Sequence, residues 1–252
     1  MTVAYILLYK PFGKVFKLKA YFVILMALTK KGSKISASLL SADFRKLNLE
    51  IYSVDDLVDE YHLDIMDGHF VPNISFGPDF VKAVKKLTKK PLDVHLMVEN
   101  PEKHIDSFVD AGADMITFHY ETANYFTCRD YIRKKNVKVG IAYNPITPLY
   151  IFDSDLDRVL IMSVKPGFAG QQFIKKTLKK VYDAKKWVTK KKYNIEIAVD
   201  GGINDKTAYQ VVRNGADVVI AGSYIFKGYN HEANIHNLRY SLFAGSINRK
   251  RI

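Results

Sequence analysis

From residue 34 onward, apolar runs of strand length alternate with stretches patterned for helix. The runs fall at 35–40, 61–66, 92–97, 115–119, 137–142, 158–164, 195–199 and 218–221. They are nearly continuous rather than alternating, which is how parallel strands buried on both faces read. Helices are expected after each, around 45–58, 79–88, 101–111, 123–135, 149–154, 172–190, 205–214 and 231–244. Asp43 and Asn100-Pro101 suit helix starts, and Gly112 and Gly215 suit the residue that follows a helix end. No linker divides the segment. Eight strand–helix units therefore predict a TIM (β/α)8 barrel over 34–252 as a single domain, since an open doubly wound sheet seldom reaches eight strands.

Residues 1–33 break the pattern. Their nine-residue apolar run, 20–28, is too short for a bilayer, which takes about 20 residues, so no stable membrane insertion is expected. Basic residues precede it as in a signal peptide, but Thr29-Lys30-Lys31 stands where a small-residue cleavage site belongs. The segment reads as a poorly ordered N-terminal extension, with Met26 as an alternative start. It also distorts the charge balance. The net charge is +12, yet the first 34 residues hold seven lysines and no acid. Most other lysine pairs lie near predicted helix ends, where the helix dipole favours cations. No aromatic residues interleave with them, so a nucleic-acid partner is not expected. The single cysteine, Cys128, cannot form an internal disulfide, which fits a cytoplasmic protein; its neighbours carry no cysteine-enzyme signature.

Candidate chemistry collects at strand carboxyl ends, where barrel active sites form. In His62-Leu63-Asp64 the polar residues are two apart and share one strand face, which Met66 continues. His95 and Met97 repeat this on the third strand, and Asp200 follows the seventh on the face of Ala198. Two imidazoles and two carboxylates at one mouth suit a single divalent cation such as Zn, Fe, Co or Mn. Met66, Met97 and Met162 at one level would form an apolar cage around a reacting centre. Gly201-Gly202 and Gly222-Ser223 follow strands seven and eight, where such barrels cradle phosphate with backbone N–H groups. Gly167-Phe168-Ala169-Gly170 has the form of a lid, with glycine hinges around a ring that excludes water.

Segments 35–44, 62–77, 92–101, 162–173, 199–203 and 221–226 closely resemble the ribulose-phosphate 3-epimerase family. The most specific runs are Met66-Asp67-Gly68-His69-Phe70-Val71-Pro72-Asn73 and 92–100, and the resemblance spans roughly residues 33–227. It implies a homo-oligomeric TIM-barrel isomerase of the pentose phosphate pathway that interconverts D-ribulose 5-phosphate and D-xylulose 5-phosphate. One divalent metal would be held by His62, Asp64, His95 and Asp200, with Asp64 and Asp200 as the acid/base pair. The sugar phosphate would meet Ser38, His95, Gly167, Phe168, Ala169, Gly170, Asp200, Gly201, Gly202, Gly222 and Ser223. The C3 hydrogen of the substrate is α to the C2 ketone, and its removal gives an enediolate. Inverting C3 requires a proton taken from one face and returned to the other, hence two carboxylates.

Three positions depart from the family pattern: Ala37 in place of proline, Lys165 in place of Glu or Asn, and Ala169 in place of a lid glycine. If that glycine needs positive φ, alanine would cost about 1 kcal/mol. Two other readings use the same residues. One is an epimerase for a related ketose phosphate such as allulose 6-phosphate. The other is a non-catalytic sugar-phosphate-binding barrel, which would not need both histidines and both aspartates.

Overall fold

A computed structural model describes residues 32–250 other than 123, 151, 152 and 229. Eight parallel strands close into a barrel in chain order: β1 (Lys34–Ser38), β2 (Glu60–Met66), β3 (Leu92–Met97), β4 (Met115–His119), β5 (Lys138–Tyr143), β6 (Arg158–Met162), β7 (Glu196–Asp200) and β8 (Val218–Ala221). Closure is by β8 on β1, with Ala37 opposite Ala221. The outer layer holds α1 (Leu47–Val54), α2 (Pro78–Leu87), α3 (Ile105–Asp110), α4 (Tyr125–Lys134), α5 (Thr177–Lys191), α6 (Asp205–Arg213), the single turn α7 (Ser223–Phe226) and α8 (His231–Ile247). Among the described residues no helix is long and apolar enough to cross a membrane.

Side chains of each strand divide between two environments. Outward positions such as Leu63, Val94, Ile116, Val159 and Val199 are buried against the helices in one apolar layer. Inward positions fill the barrel itself. There Ala142, Leu160, Met162, Ala198, Val218 and Ile220 form a compact apolar plug along one wall. The opposite wall, from β2, β3 and β4, is polar: Glu60, His62, Asp64, Asp93, His95, Thr117 and His119 are all buried.

Strand ends agree with the sequence reading to within two residues, and local chemistry explains the misses. β1 stops at Ser38 because Leu39–Ser41 forms a 3-10 turn. Asp43 caps the short turn before α1 by accepting from the Arg45 N–H. Asn100 makes no side-chain cap, and the expected 101–111 helix is divided at His104, which ends a 3-10 turn and precedes α3. Gly112 and Gly215 do take positive φ after their helices. The start of 172–190 is extended because the Ile174 N–H donates to the Ser163 carbonyl, holding the chain at the barrel mouth until α5 begins. A helix around 149–154 does not form at its described positions; residues 151 and 152 lie outside them. Asp153 is held instead by the Tyr125 hydroxyl at 2.7 Å and by Arg129, which fixes a turn.

The predicted extension 1–33 falls outside the described residues up to residue 31. Ser33 is already part of the barrel, buried with its hydroxyl donating to the Ala216 carbonyl at 3.1 Å. Cys128 is buried in α4, and its thiol is pushed up to about 11, by burial first and then by Glu102.

Candidate active site

The period of two places Glu60, His62, Asp64 and Met66 on one inward face of β2, and Asp93, His95 and Met97 on that of β3. Register does the rest. Asp64 stands opposite His95 and His62 opposite Asp93, while Asp200 on β7 stands opposite Met162 on the adjacent β6. One donor atom from each of His62, Asp64, His95 and Asp200 can be chosen so that all lie within 4.8 Å of one another. Asp64 Oδ1 is 3.3 Å from His62 Nε2 and 3.2 Å from His95 Nδ1, and those two nitrogens are 3.2 Å apart.

Hydrogen bonds behind the cluster decide what these atoms present. The carboxylate of Asp93 lies 3.1 Å from His62 Nδ1, so that nitrogen donates, and in the neutral ring Nε2 is left with its lone pair. Asp93 is itself held by the Thr117 hydroxyl at 2.7 Å and by Arg158 Nη1 at 2.9 Å. Ser38 donates to Asp64 Oδ2 at 2.7 Å, leaving Oδ1 directed at the histidines. Lone pairs crowded into one buried point repel unless a cation lies among them. The donor set of two nitrogens and two carboxylates fits a divalent first-row ion.

The two carboxyl groups are not equivalent. Burial works against ionising Asp64, but His62 and His95 outweigh it and hold the group well below the usual carboxylate range. Burial and then the charge of Asp64 raise Asp200 to about 7. Burial lowers His95 to about 4. Burial also opposes a charge on His62, yet Asp64 and Asp93 keep it well above its usual value.

Above the cluster is a cavity lined by Ser38, Asp64, Met66, Met97, Met162, Lys165, Gly167–Gly170, Asp200–Gly202, Gly222 and Ser223. Nearly every residue expected from the sequence is therefore on its wall. His62 and His95 are fully buried behind Asp64 and do not line it. Met66 and Met97 pack with Val71, whereas Met162 belongs to the apolar plug across the barrel, so the three methionines approach the cavity from two sides. The Gly201-Gly202 turn needs glycine: both have positive φ, and a Cβ on Gly202 would lie 2.6 Å from the Phe173 nitrogen. Ala169 is not among the non-glycine residues with positive φ, so the alanine carries no left-handed strain. The segment is tied at both ends, by Asn73 Nδ2 donating to the Gly167 carbonyl and by Gln171 Nε2 donating to the carbonyls of Lys165 and Phe168.

The sequence reading passed over the residues that orient the cluster: Asp93, Thr117, His119, Glu121 and Arg158. The signal was present for three of them, since Asp93 precedes His95 by two and His119 precedes Glu121 by two. Arg158 carried none, because an arginine opening an apolar strand reads as its solvent-exposed edge.

A family model described as "Ribulose-phosphate 3 epimerase family" matches residues 34–226. The chain is 43% identical over 215 residues to a ribulose-phosphate 3-epimerase of Bacillus subtilis, covering 82% of this chain and 99% of the relative. It is 45% identical over 212 residues to one from Methanocaldococcus jannaschii, covering 82% and 89%. Among solved structures, 3-hexulose-6-phosphate synthase from Salmonella typhimurium superposes with a TM-score of 0.62 over 84% of this chain and 99% of that one. At 20% identity that likeness speaks for the fold.

Proposed function

The chain belongs to the ribulose-phosphate 3-epimerase family and is a carbohydrate epimerase, and we propose that it inverts C3 of D-ribulose 5-phosphate with Asp64 and Asp200 as the two proton carriers. One observation supports this above others: the two carboxylates reach the same cavity from β2 and β7, two different walls of the barrel. A planar enediolate lying between them would have one carboxyl on each face. Asp64, whose Oδ2 accepts from Ser38 and whose Oδ1 faces His62 and His95, is the base for the ribulose direction. Asp200, less acidic, is the acid, and the roles exchange on reversal.

His62, Asp64, His95 and Asp200 would hold the divalent cation. When bound, it supplies electrophilic stabilisation for the negative charge that develops on the substrate oxygens. The other steps belong to the chain. Ser38 keeps Asp64 oriented, Met66, Met97 and Met162 keep the reacting carbon dry, and Phe168 with its neighbours covers the opening. Backbone N–H groups at Gly201, Gly202, Gly222 and Ser223 would receive the phosphate, with Lys165 the single cationic side chain on the cavity wall. A cytoplasmic location and a homo-oligomer belong to the same proposal, resting on the lone cysteine and the family resemblance.

The test is a coupled assay on D-ribulose 5-phosphate and on allulose 6-phosphate, with metal analysis of the same sample. Turnover of the pentose phosphate with one equivalent of a divalent metal, and solvent deuterium at C3 of product formed in D2O, is expected. Product without label at C3 would count against two exchanging carboxylates. A preference for the hexulose phosphate would move the substrate assignment.

A further inference from the structure

Two histidines of the cluster are oriented differently. His62 has its acceptor directly behind it, in Asp93. No carboxylate stands directly behind His95. Its Nε2 lies 2.9 Å from Nε2 of a third imidazole, His119, and Nδ1 of His119 lies 3.0 Å from Glu121 Oε2. The rings of His95 and His119 are tilted by only 22°, and His119 is fully buried beneath the ring of Phe70, 4.7 Å away. Glu121 is fixed in turn, its Oε1 accepting from the Asn144 N–H at 2.8 Å.

The direction of every hydrogen bond in this series follows from its outer end. An ionised carboxylate can only accept, so His119 Nδ1 donates to Glu121. The other nitrogen of the neutral ring then has only a lone pair, so the proton between the two imidazoles sits on His95 Nε2. That leaves Nδ1 of His95 bare, 3.2 Å from Asp64 Oδ1 and from His62 Nε2. The opposite order would place a proton on Nδ1, in the middle of the donor set, and a protonated nitrogen cannot ligate.

We propose that His119 and Glu121 are positioning residues of the metal centre, a two-step relay that sets the proton on His95 and so aims its Nδ1 lone pair at the cation. This rests on the cation reading given above, and it concerns residues outside the four ligands. Partners of ligating histidines typically change metal affinity by roughly 10–100-fold when removed.

The measurement is Co2+ binding to metal-stripped protein, read from the visible absorption of the bound ion and by competition with a chelator, without substrate. His119→Phe keeps the ring volume but offers no acceptor, and should weaken Co2+ by roughly 10–100-fold. His119→Gln can accept from His95 Nε2 through its amide oxygen and should recover most of that loss. Glu121→Gln has one amide oxygen for the donors on His119, Asn144 and Thr147 and should fall between them. Wild-type affinity in both His119→Phe and Glu121→Gln would overturn the relay. So would a His119→Gln variant as weak as His119→Phe, which would mark a packing effect. If His119→Phe does not fold, the other two decide: Glu121→Gln weaker than His119→Gln supports the relay, and both at wild-type affinity defeat it. Wild-type protein that binds no Co2+ would defeat the cation reading itself, and the relay with it.

Discussion

Two clusters of buried charge share the interior of this barrel, and they are solved differently. Near the amino ends of the strands, Arg158 binds both oxygens of Glu60, at 2.6 and 2.9 Å, and reaches Asp93 at 2.9 Å and Glu196 at 2.7 Å. Lys34 adds a second cation on Glu196. That cluster holds its own counter-charges, in the bidentate geometry that arginine makes best. At the carboxyl ends, Asp64 and Asp200 lie together with two imidazoles and, among the described residues, no arginine or lysine bonded to them. The lower cluster draws its counter-charges from the chain, with Arg158 Nε alone left without a hydrogen-bond partner; the upper one has the donor set for a cation. The difference teaches where each should be felt, the first in stability and the second in chemistry.

Breaking the upper cluster should therefore cost activity far more than folding. Asp64→Asn and Asp200→Asn each remove a proton carrier and a ligand, and turnover should fall by at least the roughly 10²–10⁴-fold that positioned acid–base groups supply. Thermal unfolding of metal-stripped Asp200→Asn should show no loss of stability, because the variant removes a carboxyl whose charge burial and then Asp64 disfavour. A few per cent of wild-type turnover at full metal occupancy would remove either residue from the role given to it.

Breaking the lower cluster should do the reverse. Arg158→Met leaves buried Glu60 and Asp93, and half-buried Glu196, without their main counter-charge, and loss of one partner of such a group costs about 3–5 kcal/mol. Denaturant unfolding would read it. The acid limb gives a second reading. Burial opposes the charge on Asp93, but His62 and Arg158 hold it well below the usual range; Arg158 and Lys34 do the same for Glu196. Groups with depressed folded-state values bind fewer protons than in the unfolded chain. Their stabilisation is complete above about pH 4–4.5 and is lost as pH falls below it. In Arg158→Met that decline should be shallower. An unchanged acid limb would mean that other carboxylates carry it.

The contrast also explains what could be read from the sequence. Strands announced themselves because parallel strands are apolar on both faces, so 92–97 and 218–221 were found to the residue. His62, Asp64, His95 and Asp200 were legible because a polar residue at the end of an apolar run has few structural uses. Thr117 and Arg158 were not, because their meaning lies across strands: Arg158 is opposite Glu196 in register and reaches Glu60 on the far side of the barrel. Such partners are 38 and 98 residues apart in the chain, and one-dimensional pattern carries no trace of them. The lost helix at 149–154 failed for the same reason, since the bonds from Tyr125 and Arg129 that hold Asp153 come from another unit.

The smallest expected effect tests the joint between the two clusters. Asp93 belongs to both, accepting from Arg158 below and from His62 above, and its remaining oxygen is held by Thr117. Thr117 has room only because its neighbour on β5 is Gly140: a Cβ there would lie 2.2 Å from the Thr117 hydroxyl oxygen and 3.1 Å from its methyl. Gly140→Ala should force Thr117 out of its rotamer and off Asp93, at about 1–3 kcal/mol for overpacking a closed interior. Thermal or denaturant unfolding would give the number, but the cause needs a second variant. In a Thr117→Ala background the hydroxyl and the methyl are gone, so adding Gly140→Ala should cost much less than it does alone. That non-additivity is the signature of a shared contact. An equal cost in both backgrounds would show that the backbone of β5, rather than the space left for Thr117, is what requires glycine.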